Sequence, residues 1–190
     1  ISLGLVGSEM CIRDSPNGET KVNGHSTQII TDKALHWLKK RNRQKPFLLC
    51  AQYKVPHIHR LPPPDHMSGY DDYEFPVPET FFDDFSTRSP FVSKTWMALK
   101  GMKGHVLNIA PLESELKADP KLRPPFLQEM TRTQRNAWHQ AYDPRNTRYR
   151  ELEKQGKLQG DERNLYVYQR FIKDYVRCID GLDAQIGRIL

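Results

Sequence analysis

Lys54, His57, His59 and Arg60 stand within seven residues of one another, around Pro56, in the stretch KPFLLCAQYKVPHIHRLPPP at positions 45–64. An imidazole suits proton transfer because its ordinary pKa of ~6.5 lies close to working pH. A lysine or arginine beside it suits an anion, as a point charge or as a fork of donors. His57-x-His59 has the spacing of half a zinc site, but no third ligand stands at a suitable distance along the chain. Taken alone, His57 is either a hydrogen-bonding loop residue or a general acid. Lys54 is either a strand-end lysine reaching solvent or an anion contact. Asp71-Asp72 and Asp83-Asp84 are the other chemical candidates. Adjacent residues seldom aim at one site and Asp is common in turns, so both pairs read as turn and cap carboxylates rather than as acid pairs or metal ligands.

The elements that must position the histidines are legible around them. Phe47, Leu48, Leu49, Cys50 and Ala51 form a continuous apolar run. A run without alternation suits a strand buried on both faces, as in a parallel sheet covered by helices. Pro56 removes a backbone donor and ends the ladder. The titratable groups therefore follow the carboxyl end of a buried strand, where open α/β sheets bind ligands. Ahead of it, residues 26–40 predict a helix capped by Ser26 or Thr27. Ile30, Ala34 and Leu38 form its face, widened by Ile29, Leu35 and Trp37. Residues 61–90 are rich in Pro and Asp and read as irregular, and residues 91–126 as broken loop with a short helix over 93–100 and a rim role beside a cleft. Thr131 with Gln134 predicts a capping box and a helix to about residue 142. Asp143-Pro144 predicts the start of another, ended by Gly156. From 164 to 190, Tyr168, Ile172, Tyr175, Ile179, Leu182, Ile186 and Ile189 recur three and four apart, which predicts a long helix with this stripe toward the core.

Composition excludes some functions. The 190 residues carry 29 basic and 23 acidic side chains, net +6, and 37% are hydrophobic. No apolar run approaches the ~20 residues of a spanning helix. The basic residues are scattered, with no Lys/Arg block or aromatic-basic module of the kind that binds nucleic acid. Cys11, Cys50 and Cys178 lack metal-ligand spacing, and Cys50 and Cys178 read as buried thiols. Residues 1–15, ISLGLVGSEMCIRDS, lack an initiator Met and a signal-peptide pattern. They resemble translated adapter sequence and are expected to stand outside the fold, with residues 16–190 an internal piece of a longer domain.

Four blocks in order carry a family resemblance: PFLLCAQYKVPH, YDDYEFPVPETFFDD, MTRTQRNAWHQAYDP and YQRFIKDYVRCIDGLDAQIGRIL. Together they resemble the formylglycine-dependent sulfatases of the arylsulfatase and N-acetylglucosamine-6-sulfatase kind, in the alkaline-phosphatase-like superfamily. The resemblance spans roughly residues 18–190. It implies an α/β fold, a mostly parallel sheet sandwiched by helices, of which this chain holds part. It implies a sulfated carbohydrate substrate, a calcium ion held by Asp and Asn, and a periplasmic, secreted or lysosomal location. Lys54-Val55-Pro56-His57 matches the family's Lys-x-Pro-His tetrad. That match implies that His57 protonates the leaving-group oxygen and that Lys54 faces the sulfate. His59 and Arg60 are implied sugar contacts, although the family more often has Arg, Thr or an aromatic in this turn. The family's nucleophile arises from Cys/Ser-x-Pro/Ala-x-Arg, and Cys11-Ile12-Arg13 and Cys178-Ile179-Asp180 both depart from it. Nucleophile and calcium ligands are thus expected outside this chain, which alone is expected to be inactive. Two alternatives stand beside this reading: a phosphoesterase or phosphotransferase of the same superfamily, and a non-catalytic glycan-binding protein of sulfatase type.

Overall fold

Thr131 starts the helix on which most of the core is built. Its Oγ1 accepts from Gln134 N at 3.3 Å while Gln134 Oε1 accepts from Thr131 N at 2.8 Å, the reciprocal capping box expected from the sequence. The structure is a computed structural model that describes residues 10–11, 21–94, 98–102 and 104–190. In chain order its elements are strands β1 (Met10–Cys11) and β2 (Lys21–Val22), then helices α1 (Ser26–Lys40), α2 (Pro90–Ser93), α3 (Glu113–Ala118), α4 (Pro125–Gln128), α5 (Arg132–Lys154) and α6 (Gly160–Gly187). Single 3-10 turns, among them Pro64–His66 and Gly104–Leu107, punctuate the long connection from α1 to α3.

Helix α5 runs through Pro144, where two helices were expected. An interior proline costs about 3 kcal/mol through its missing donor and ring clash. Burial on both sides outweighs that cost, with Trp138, His139 and Tyr142 before it and Asn146 after it. Trp138 stacks on Tyr142 at 4.9 Å and meets Phe126 of α4 edge-on at 5.6 Å. Leu61, Met67, Ala110, Leu116, Leu127 and Met130 complete this core.

Helix α6 corrects the expected orientation. Its apolar stripe is only half-buried, with Tyr175 and Ile186 exposed. The buried face is Val167, Arg170, Asp174, Arg177, Cys178, Gly181 and Gln185. Charges can face inward here because each meets a partner. Arg170 alone donates to the carbonyls of Leu107, Asn108 and Arg145 and to Asn146 Oδ1. Gly181 lets Pro63 close on the helix, since a Cβ there would lie 2.5 Å from Pro63 Cγ and Cδ.

The expected parallel sheet is not seen among the described residues, whose one sheet is the antiparallel ladder of β1 with β2. That ladder also places Met10 and Cys11, from the segment expected to stand outside the fold, in register with Val22 and Lys21. Residues 47–53 run extended with no ladder partner among the described residues. A strand exists as such only through its neighbours' hydrogen bonds. Leu48 is 85% exposed and Phe47 half-exposed, and Cys50, read from the sequence as a buried thiol, is exposed for the same reason. Trp37 and Phe47 meet at 5.5 Å, and a hydrogen bond of 2.7 Å between Thr31 Oγ1 and Tyr53 Oη ties the segment to α1. A groove of about 330 Å³ lies between them, lined by Ile30, Ala34, Trp37, Leu48 and Leu49.

Candidate functional site

Pro56 turns the chain out of the extended segment, as expected. Val55–Pro56 and Ile58–His59 are both cis. His57 N donates to Lys54 O at 3.0 Å, closing a turn that sets Lys54 and His57 together. His57 is exposed, and its Nδ1 lies 2.6 Å from the carbonyl oxygen of Ile58. A carbonyl only accepts, so Nδ1 carries the proton and donates. With Nδ1 committed, Nε2 is the ring nitrogen left for proton exchange.

His59 stacks on Phe126 with ring centroids 5.0 Å apart and 26° between planes. Beside the pair is a cleft of about 400 Å³, lined further by Ile109, Ala110, Pro111, Pro124 and Pro125. This is where residues 91–126, which the sequence left as a rim, meet the histidine turn. Arg60 differs from its expected place as a sugar contact. It is only 6% exposed, and its guanidinium lies 4.1 Å over the ring of Phe171 on α6. Burial pulls its pKa down, against the opposite pull of Asp174. The structure therefore exposes His57, leaves Lys54 and His59 half-buried beside it and turns Arg60 inward as an anchor.

The anchor is part of a network that sequence reasoning missed. Asn108, at φ 51°, donates through Nδ2 to Arg60 O at 2.9 Å and to Asp174 Oδ2 at 2.8 Å. Asp174 Oδ1 also accepts from Tyr142 Oη at 3.0 Å and from Arg177 Nη1 at 2.8 Å. Arg177 Nη2 reaches Asp71 Oδ1 at 2.6 Å, and Arg145 grips the same carboxylate with bonds of 2.9 and 2.7 Å. Burial, reinforced by Asp174, pushes the Tyr142 hydroxyl well above its ordinary range, and burial pushes the Cys178 thiol up to about 12. The histidine turn is thus fastened to α5 and α6 by a buried hydrogen-bonded chain. The available signal was the polar series Arg170, Asp174, Arg177, which has the same helical spacing as the apolar stripe beside it.

The acidic pairs behave as turn residues at one position and as a clamp at the other. Asp83 accepts from Phe85 N and pairs with Arg88, and Asp84 accepts from Ser86 N. These bonds hold both carboxyls below their ordinary range. Asp71 serves the arginines instead. Among the described residues no three His, Cys, Asp or Glu side chains come together as a metal would need, so the residues present do not fit calcium.

Comparison with known proteins shows a kinship. The chain is 30% identical over 169 residues to an N-acetylglucosamine-6-O-sulfatase of Bacteroides thetaiotaomicron. The chain is a relative of the sulfatases. That match takes in 88% of this chain and 30% of the relative, so the chain spans under a third of the relative's length. The solved structure of BT4656 in complex with its substrate D-glucosamine-2-N,6-O-disulfate superposes with a TM-score of 0.82 at 27% identity. It covers 92% of this chain and 35% of that one. No family model matches the chain. The sulfatase kinship expected from the four sequence blocks is therefore shown, and the fold is that of the corresponding part of a sulfatase. Among the described residues no helix is long and apolar enough to cross a membrane.

Proposed function

We propose that residues 16–190 are the central part of a sulfatase domain that hydrolyses a sulfate ester on a glycan, an N-acetylglucosamine 6-sulfate or a close relative of it. The observation that carries this reading is the His57 turn. In a chain related to an N-acetylglucosamine-6-O-sulfatase, an exposed imidazole has its Nδ1 proton committed to Ile58 O, which leaves Nε2 for the substrate. Sulfate-ester hydrolysis builds negative charge on the departing sugar oxygen, and a positioned acid relieves it. As the imidazolium, His57 gives up its Nε2 proton and becomes the neutral ring, while the Ile58 carbonyl keeps Nδ1 protonated before and after the transfer. Lys54, held beside it by the turn, faces the sulfuryl oxygens as a cation. His59, held flat against the buried Phe126, turns its outer ring face to the sugar, and Arg60 holds the turn from beneath.

Nucleophile and calcium lie with residues other than these. The segment at 47–53 is an inner strand of a mostly parallel, helix-covered sheet completed by chain beyond these residues, and the polypeptide 1–190 by itself does not turn over substrate. The protein acts outside the cytoplasm, in a periplasm, a lysosome or the medium.

The test is sulfate release from N-acetylglucosamine 6-sulfate by the full-length protein, run beside phosphate release from the corresponding phosphate ester. Sulfate release supports the reading. Phosphate release alone moves the chain to the phosphoesterases of the superfamily. Binding of the sugar with neither release makes it a glycan-binding protein.

A further inference from the structure

A second cleft, of about 380 Å³, lies between α5 and α6 where Asp71 meets them. It shares no lining residue with the turn from Lys54 to Arg60. Five cations line it, Arg145, Arg148, Arg170, Lys173 and Arg177, against two carboxylates, Asp71 and Asp174. Both carboxylates are already spent. Asp71 takes the fork of Arg145 and one arm of Arg177, and Asp174 takes the other arm of Arg177 together with Tyr142 and Asn108. Arg170 is met by carbonyls and by Asn146 Oδ1, and three cations of the cleft have donors that neither carboxylate takes. Arg145 Nη1 is buried without an acceptor, and a buried donor left unpaired is costly. Arg148 is 62% exposed and pairs with Glu151 only at the long distance of 3.9 Å. Lys173 holds a backbone carbonyl, Asp71 O at 3.0 Å, rather than a carboxylate. Burial first, and then the adjacent Arg177, lower the Lys173 pKa against the opposite pull of Asp71 and Glu74. A cleft of this size exceeds a lone oxyanion and lies within the range of small-ligand pockets. Tyr142 and Tyr166 add ring surface to it.

We propose that this cleft binds an oxyanion group, a sulfate or carboxylate carried on a sugar unit of an acidic glycan, through Arg145 Nη1, Arg148 and Lys173. The oxyanion part stands on the charge arrangement alone, while the glycan as its carrier rests on the sulfatase reading.

The test uses the full-length protein and needs no turnover, so its failure is separable from failure of the sulfatase reading. Crystals are soaked in selenate, whose anomalous signal locates the ion. Affinity for a sulfated tetrasaccharide is measured by calorimetry for the wild type, for R148Q/K173Q and for the charge-keeping R148K/K173R. The expected result is a selenate peak within hydrogen-bonding reach of Arg145 Nη1 and Lys173 Nζ, with at least a tenfold loss of tetrasaccharide affinity in R148Q/K173Q and recovery in R148K/K173R. Selenate in the cleft with unchanged tetrasaccharide affinity makes free inorganic anion the occupant and overturns the glycan assignment. No selenate there, with all three proteins binding alike, overturns the site.

Discussion

Asn108 shows how much a single residue carries in this structure. Its side-chain amide ties the backbone of Arg60 to the Asp174 carboxylate, and its backbone sits in the left-handed region. Asn108→Ala strips a donor from two buried acceptors and leaves a Cβ branch in a conformation that Asn tolerates better than Ala. The expected cost is about 2–4 kcal/mol of stability, measured by urea unfolding of the full-length protein. Cys50 and Cys178 make a second contrast. Cys50 is exposed, whereas Cys178 is buried with its pKa pushed up to about 12. A thiol reacts as its thiolate. In the 190-residue chain, iodoacetamide at pH 8 is therefore expected to label Cys50 at least tenfold faster than Cys178, read by peptide mass spectrometry. Equal rates would contradict the burial of Cys178.

Among the elements, α6 teaches most about what the sequence can and cannot tell. Its length and period were legible because apolar residues recur three and four apart. Its inward face was not, because periodicity identifies an apolar stripe without saying what will cover it. The polar series Arg170, Asp174, Arg177 won the interior because Asn108, Tyr142, Asn146 and three carbonyls, all distant in sequence, satisfy it. The same limit hid the continuity of α5 through Pro144, since local rules end a helix there and only burial on both sides overrides them. The capping box at Thr131 was fully legible because it needs no distant partner. Gly181 provides a test of the packing on α6. In a helix interior Gly→Ala gains up to about 1 kcal/mol in propensity. Here the new methyl would drive into Pro63, and overpacking costs about 1–3 kcal/mol. Gly181→Ala is expected to lower the thermal midpoint, and a raised midpoint would show that the contact with Pro63 is loose. Where α1 begins, His25 Nε2 bonds Leu61 O at 3.0 Å while burial lowers its pKa. A base depressed in the folded state stabilises above its unfolded pKa of ~6.5, and that stability is lost as pH falls through the lower folded value. His25→Gln is expected to flatten the decline in stability below pH 6.5, followed by urea unfolding across that range.

At the scale of the whole molecule, the exposed face of residues 47–53 and the groove beside Trp37 have the apolar character of an interior surface. The continuous apolar run at 47–51 predicted a strand, whereas the described residues give this segment no ladder partner, because pairing is a property of neighbours that a local run does not specify. The same is true of the candidate site. Lys54, His57 and the turn that joins them were legible from one proline and one motif, whereas the inward placement of Arg60 depended on Phe171, more than a hundred residues away. Amide hydrogen exchange in the full-length protein is expected to protect residues 47–53 strongly, and the 190-residue polypeptide to leave them open. The central claim is that His57 protonates the departing sugar oxygen. Its most direct test compares His57→Ala with wild type in the full-length protein on two substrates. The natural sugar ester leaves as a poor alkoxide, whereas p-nitrophenyl sulfate leaves as a stabilised phenolate that needs little protonation. The account predicts a loss in kcat on the order of 10²–10⁴ on the sugar and less than about tenfold on the aryl ester. Equal losses on both substrates would contradict it.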